Sequence, residues 1–184
     1  FLPQAVGPVT AESRFNSNGV DLNRNWDCAW QASAWWGATE TSGGRAPFSE
    51  PETRALRDFF LGKGTTGNPV QAVIFWHSAV PGVFAGGCDG IYPTAERLAT
   101  VYAKAARYPH GHSFDYYPIT GDATNWLARQ KIPALIIELA TRDDPEWLQN
   151  LAGVLAALDY SAGRDEVAVD EATDGLPHER RLSP

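Results

Sequence analysis

The sequence predicts an α/β fold, and three observations carry that expectation. Two short apolar runs, at 72–76 and 134–139, are rich in Val, Ile and Leu and are bounded by turn-forming residues. Such continuous runs read as strands buried on both faces. Segments with helical apolar spacing lie between and around them, which calls for a mixed, largely parallel sheet with helices on both faces.

The elements follow in order. Residues 1–17 read as loop or an incomplete edge, and 27–48, rich in Trp, Ala, Gly and Ser, as a long irregular segment. A helix is expected over 49–61, opened by a capping box of Ser49 and Glu52 with Pro51 in the first turn. After the strand at 72–76, residues 81–90 read as a glycine-rich loop. The span 94–107 is amphipathic, with Ala95, Leu98, Ala99, Tyr102 and Ala105 on one face. A short helix over 122–130 precedes the strand at 134–139. A last helix over 144–158 is expected to turn Leu148, Leu151, Leu155 and Leu158 inward. Residues 161–184 carry six acids and three arginines among few large apolar groups, and read as an acidic, disordered tail or linker beyond a domain spanning 1–160.

Composition narrows the function. The chain has 184 residues, 43% of them hydrophobic, with seven Trp, enough for one domain with a real core. Its formal net charge of −7, without any basic stripe, argues against a nucleic-acid partner. No apolar run is long enough for a membrane span. The absence of methionine suggests a fragment. No nucleophile elbow, phosphate-binding loop or dinucleotide fingerprint occurs.

The densest chemistry lies in Asn18-Gly19-Val20-Asp21-Leu22-Asn23-Arg24-Asn25-Trp26. Asn-Gly breaks regular structure, and Asn23 with Arg24 offers donors suited to a carboxylate. Further along stand Pro47-Phe48-Ser49-Glu50-Pro51-Glu52-Thr53, Phe75-Trp76-His77-Ser78, Tyr117-Pro118-Ile119-Thr120-Gly121, Asn125-Trp126 and Ile136-Ile137-Glu138-Leu139, with Arg14 ahead of them all. His77 and Glu138 fall near the C-terminal ends of the two strands, the edge at which open α/β sheets bind ligands. Alternation puts Ile136, Glu138 and Ala140 on one face and Leu135, Ile137 and Leu139 on the other. A carboxylate among such neighbours is costly unless it has a partner or a task. From spacing alone, His77 can equally be a buried histidine satisfied by backbone.

These segments, in this order, resemble the zinc carboxypeptidases, metallopeptidases similar to carboxypeptidase A. The resemblance covers roughly 14–160 and implies the C-terminal part of that fold, without its N-terminal part. It implies zinc as cofactor, with His77 as one ligand. The family's first zinc motif, a His-x-x-Glu pair before the Asn-Arg signature, has no counterpart here, so two further ligands are expected from upstream sequence. It implies Glu138 as general base, Arg14 as oxyanion stabiliser, and Asn23 and Arg24 as the clamp for a free C-terminal carboxylate on a peptide substrate. Tyr117, chosen over Tyr116 by its spacing to Gly121, would close over that substrate. Thr124 and Asn125 fall near the family's specificity position, without either being assigned to the pocket.

Other readings stay open. A cell-wall peptide amidase would use the same groups, and a metal-free module would bind peptide ends without cutting them. Cys28 and Cys88 can form a disulfide in an exported protein or remain thiols. Relatives of this kind are often secreted, so an extracellular or periplasmic location is expected. His110-Gly111-His112 reads as a surface loop, and His178 as a solvated tail residue.

Overall fold

The computed structural model describes residues 14–62, 69–112, 114 and 116–163. The expected acidic tail lies outside the described residues beyond 163, as does His178.

A four-stranded mixed sheet organises the chain. Its strands are β3 (Val73–Ser78), β6 (Ala134–Leu139), β4 (Gly82–Ala85) and β5 (His110–Gly111), in the order β3-β6-β4-β5. β3 runs parallel to β6 and β5 parallel to β4, while β4 and β6 are antiparallel. The expected mixed α/β sheet is therefore present. Helices α2 (Pro93–Ala106) and α4 (Trp147–Ser161) cover one face, where Leu98, Tyr102 and Ala106 meet Val83, Leu135 and Ile137. On the other face, α1 (Pro51–Phe60) and α3 (Ala123–Arg129) join an aromatic core of Trp26, Phe60 and Trp126, with Phe48 and Phe75 packed against it. Trp26 and Trp126 stand 5.2 Å apart by ring centroid, a spacing favourable for aromatic pairs.

Four local expectations are corrected. The segment 27–48 is not wholly irregular: β1 (Ser33–Trp36) and β2 (Thr39–Ser42) pair as an antiparallel hairpin. Gly37, at φ +58, supplies the positive φ that its two-residue turn needs. The glycine-rich stretch 81–90 contains the buried strand β4, too short to announce itself by alternation. His110 and Gly111 form β5 rather than loop. The capping box at Ser49 and Glu52 does not form, because the helix starts at Pro51 with Glu50 as N-cap. Ser49 Oγ instead donates to Glu50 Oε1 at 2.6 Å.

The fifth correction concerns α4. Leu148, Leu151, Leu155 and Leu158 are exposed, Leu148 by 78%. The helix turns Asn150, Gly153 and Ala157 inward instead. Close approach decides this, since a Cβ on Gly153 would stand 2.5 Å from the Tyr102 ring. Asn150 belongs inside because Oδ1 accepts from Tyr102 Oη at 2.8 Å and Trp76 Nε1 at 3.0 Å. Hydrophobicity alone picked the wrong stripe; the helix–helix contact needs small residues and a polar partner for the buried Tyr102 hydroxyl, a role Asn150 also fills for the Trp76 indole.

Candidate active site

The segment before the hairpin is folded by its own amides. Asn16 Oδ1 accepts from the N–H groups of Asn18 (3.1 Å) and Val20 (3.0 Å), turning the chain so that Gly19 sits at φ +71. Asp21 then caps a 3₁₀ turn, Leu22–Arg24, through Oδ1 and the Asn23 N–H at 3.1 Å. Asp21 Oδ2 accepts from Arg14 Nε at 2.7 Å. The Arg14 guanidinium also lies 4.6 Å from the Trp36 ring centroid, so two contacts hold this cation in place.

Asn25 is the structural centre of the signature. Nδ2 donates to Gly43 O (2.7 Å), Ala46 O (3.0 Å) and Ser49 Oγ (3.0 Å). Oδ1 accepts from Glu50 N–H (3.2 Å) and Thr53 Oγ1 (2.6 Å). Glu50 in turn accepts from Asn16 and Asn18, and these side-chain donors, with Ser49 foremost, hold its carboxyl below the usual range. Part of the signature is therefore architecture. Sequence reasoning missed Asn25, although its place within the Asn-Arg-Asn triplet marked it.

Gly121 locks the next segment to this one. Its N–H donates to Cys28 O at 2.8 Å and its carbonyl accepts from Trp26 N–H at 2.9 Å. A Cβ there would stand 2.3 Å from Arg24 O, and φ is +64, so a side chain is excluded twice over. Asn23 Oδ1 accepts from Ala123 N–H at 3.2 Å, tying the 3₁₀ turn to the start of α3. Cys28 and Cys88 form a disulfide with Cα atoms 5.8 Å apart, resolving the open alternative.

His77 and Glu138 meet at the sheet. They are register partners on parallel strands, so both project to the face that carries Phe75. A cavity of about 330 Å³ opens there, lined by Arg14, Asp21, Asn23, Phe75 and His77. Burial, aided by the Arg14 and Arg24 charges, lowers the His77 pKa to about 4 and leaves a neutral imidazole. Burial raises Glu138 to about 7, against a Val80 N–H bond and the Arg14 charge, which both lower it. The residue is 9% exposed, and Oε2 has no hydrogen-bond partner.

A second cavity, of about 530 Å³, is lined by Tyr117, Asn125 and Ile136 among others. Tyr117 is on its wall and Tyr116 is not. Asn125 was placed near the specificity position from sequence without being assigned to a pocket, and Ile136 was not named for it, though it shares the strand face of Glu138.

Arg24 does not line either cavity. It is 1% exposed; Nε donates to Trp35 O (3.0 Å) and Nη1 to Asn23 O (2.7 Å), while Nη2 is buried without a partner. Of the expected residues, then, Arg14, Asn23 and His77 line one cavity and Tyr117 another, while Glu138, in register with His77, and the buried Arg24 line neither.

Comparison with known proteins agrees with these motifs. The family described as Peptidase_M14, zinc carboxypeptidase, matches residues 7–85. A metallocarboxypeptidase A-like protein of Trichophyton verrucosum (strain HKI 0517) is 30% identical over 59% of this chain and 29% of its own length. A zinc carboxypeptidase of Simulium vittatum is 29% identical over 89% of this chain and 56% of its own length. The chain thus spans about half or less of these curated relatives. Among solved structures, the murein-tripeptide amidase MpaA from Escherichia coli O157 aligns with a TM-score of 0.57 at 22% identity, over 79% of this chain and 60% of that one. Thrombin activatable fibrinolysis inhibitor aligns at 0.54 and 23%, over 78% and 41%. Both show the fold.

The family description implies zinc. His77 has the neutral imidazole that ligation requires. Among the described residues, however, no group of three or more His, Cys, Asp or Glu side chains could hold an ion. They offer one ligand where a catalytic zinc usually has three, so they do not make a zinc site by themselves. Motif order, sheet architecture and the sequence comparisons point the same way: over residues 7–85 the chain is similar to the zinc carboxypeptidase family, and its fold is that of the solved neighbours.

Proposed function

We propose that this chain forms part of a hydrolase that releases the C-terminal residue of peptides. The observation that carries this reading is Glu138. It is a buried carboxyl with an unpartnered oxygen and a pKa raised to about 7, in register with His77, which lines a cavity together with the Arg14 cation. A general base works best with its pKa near the operating pH, and a purely structural glutamate would be expected to have partners.

The roles follow from position. Glu138 takes a proton from the attacking water and returns it to the leaving amine. Arg14, fixed by Asp21 and Trp36, faces the oxyanion that develops on the scissile carbonyl. Asn23 offers its Nδ2 to the terminal carboxylate, with the Arg24 charge behind it. Tyr117 flanks the bound end. His77 would contribute one ligand to a zinc ion, and further ligands would have to come from outside the described residues. The disulfide suits an exported protein, and we place the enzyme outside the cytoplasm on that ground.

Incubating the protein, expressed from its complete coding sequence, with a peptide bearing a free C-terminus and with its amidated form tests the reading. Release of the last residue from the free form alone is expected. Cleavage of cell-wall peptides only would favour the amidase alternative, and binding of peptide ends without cleavage the metal-free module.

A further inference from the structure

Resting on the carboxypeptidase reading, we propose that Asn150 and Glu146 are positioning residues: one hydrogen-bond network behind the sheet holds the C-terminal ends of β3 and β6, and with them His77 and Glu138, in place.

The site needs such a device. His77 and Glu138 are each the last residue but one of their strands. Among the described residues β3 is an edge strand, and its ladder with β6 stops at Ser78 and Leu139. Strand ends with few partners are where local opening begins. A displacement of about 1 Å at the reacting groups can cost about 10²-fold in rate.

The network lies on the opposite face of the sheet. Alternation turns Trp76 away from His77, and its indole Nε1 donates to Asn150 Oδ1 at 3.0 Å. Asn150, buried on α4, also accepts there from Tyr102 Oη at 2.8 Å. Its Nδ2 reaches Tyr108 Oη (3.2 Å), Pro145 O (2.9 Å) and Glu146 O (3.1 Å). Tyr108 Oη donates to Glu146 Oε2, and Glu146 Oε1 accepts from Ala140 N–H at 2.7 Å. The path Trp76–Asn150–Tyr108–Glu146–Ala140 thus runs unbroken from the residue before His77 to the second residue after Glu138.

Its two ends show that the network does more than satisfy buried groups. Trp76 is 47% exposed and Ala140 is exposed, so water could serve both donors. Their bonds to Asn150 and Glu146 fix geometry instead. Glu146 itself stands at φ 49 and ψ 47, a left-handed conformation unfavourable for a residue with a Cβ, and its carboxylate joins Tyr108 to Ala140 from there.

The test uses the protein made from its complete coding sequence. Glu146→Ala should lower kcat at least tenfold on a peptide with a free C-terminus and leave KM within threefold. Glu146→Gln keeps an acceptor for Ala140 and a polar partner for Tyr108, so it should restore kcat to within threefold of wild type. Amide hydrogen exchange followed by NMR gives a readout without turnover. Ala140 N–H should exchange at least tenfold faster in Glu146→Ala, and also in Asn150→Ala, although Asn150 makes no bond to it. Glu146 is only partly buried and precedes α4, so its variants carry the test even where Asn150→Ala does not fold. Unchanged kcat, a change confined to KM, or unaltered Ala140 exchange in Glu146→Ala overturns the proposal. A wild-type protein that releases no C-terminal residue loses the carboxypeptidase reading, and the exchange rates alone then decide the proposal.

Discussion

His77 and Glu138 are register partners on two parallel strands, and burial pushes their pKa values in opposite directions, to about 4 and about 7. Both are therefore mostly or wholly uncharged in the acidic range where free side chains of their kinds would both be ionised. A neutral imidazole and a carboxyl able to ionise near neutrality are the protonation states that a ligand and a base need.

This pairing predicts the pH dependence of stability in metal-free buffer. For His77 the unfolded chain binds the extra proton between about pH 4 and 6.5, so this histidine raises stability as pH rises through that window. For Glu138 the folded chain holds the extra proton between about pH 4.5 and 7, so this carboxyl lowers stability as pH rises. The two oppose each other up to about pH 6.5. Glu138→Gln should unmask a rise of up to about 3 kcal/mol between pH 4 and 6.5, by the free energy of a pKa shift. Urea unfolding at several pH values checks it; an unaltered profile in that variant contradicts the raised Glu138 pKa.

Asn23 and Asn25 stand two residues apart with different duties. Asn25→Ala removes five hydrogen bonds, three donated and two accepted, and should cost about 3–5 kcal/mol at roughly 1 kcal/mol each. Asn23→Ala removes one bond to Ala123 and should cost about 1 kcal/mol. Denaturant titration of both variants should show that order.

In activity the order reverses among folded variants. Asn23→Ala should raise KM about tenfold or more for peptides with a free C-terminus, the worth of a hydrogen bond to a charged group, with little change in kcat. Equal effects on free and amidated substrates would remove Asn23 from the carboxylate clamp.

The Cys28–Cys88 bond closes a 60-residue separation and joins the end of the signature to the loop after β4. Loop-closure entropy gives it about 4 kcal/mol. Reduction, or Cys28→Ser with Cys88→Ser, should lower the unfolding free energy by about that amount. A change under 1 kcal/mol would mean that the unfolded chain is not restrained by the bridge.

What was legible in the sequence follows the physics of each signal. β6 and most of the buried face of α2 were visible because apolar runs and periodicity report burial. β3 was legible as a strand but not as an edge, since it has no fully buried residue and Trp76 is 47% exposed. On α2, Ala103 and Ala106 are buried where Ala105 is only partly so. His77 and Glu138 were placed at strand ends for the same reason. The hairpin and β4 were hidden because four-residue strands carry too little pattern, and β4 is paired on both sides by partners distant in sequence. The inward face of α4 was hidden because Gly153 is chosen by the Tyr102 ring across the interface, a contact with no local trace. Arg24 showed the limit of motif reading: its place in the signature did not reveal that its guanidinium is held by the Trp35 and Asn23 carbonyls.

The most direct test of the account is peptide hydrolysis by Glu138→Gln in the zinc-supplied protein made from its complete coding sequence. The substitution keeps size and removes the base. Turnover should fall about 10²–10⁴-fold, the usual worth of a general base, with peptide affinity retained. Turnover within a few-fold of wild type would show that Glu138 is not the base, and the functional reading built on it would fall.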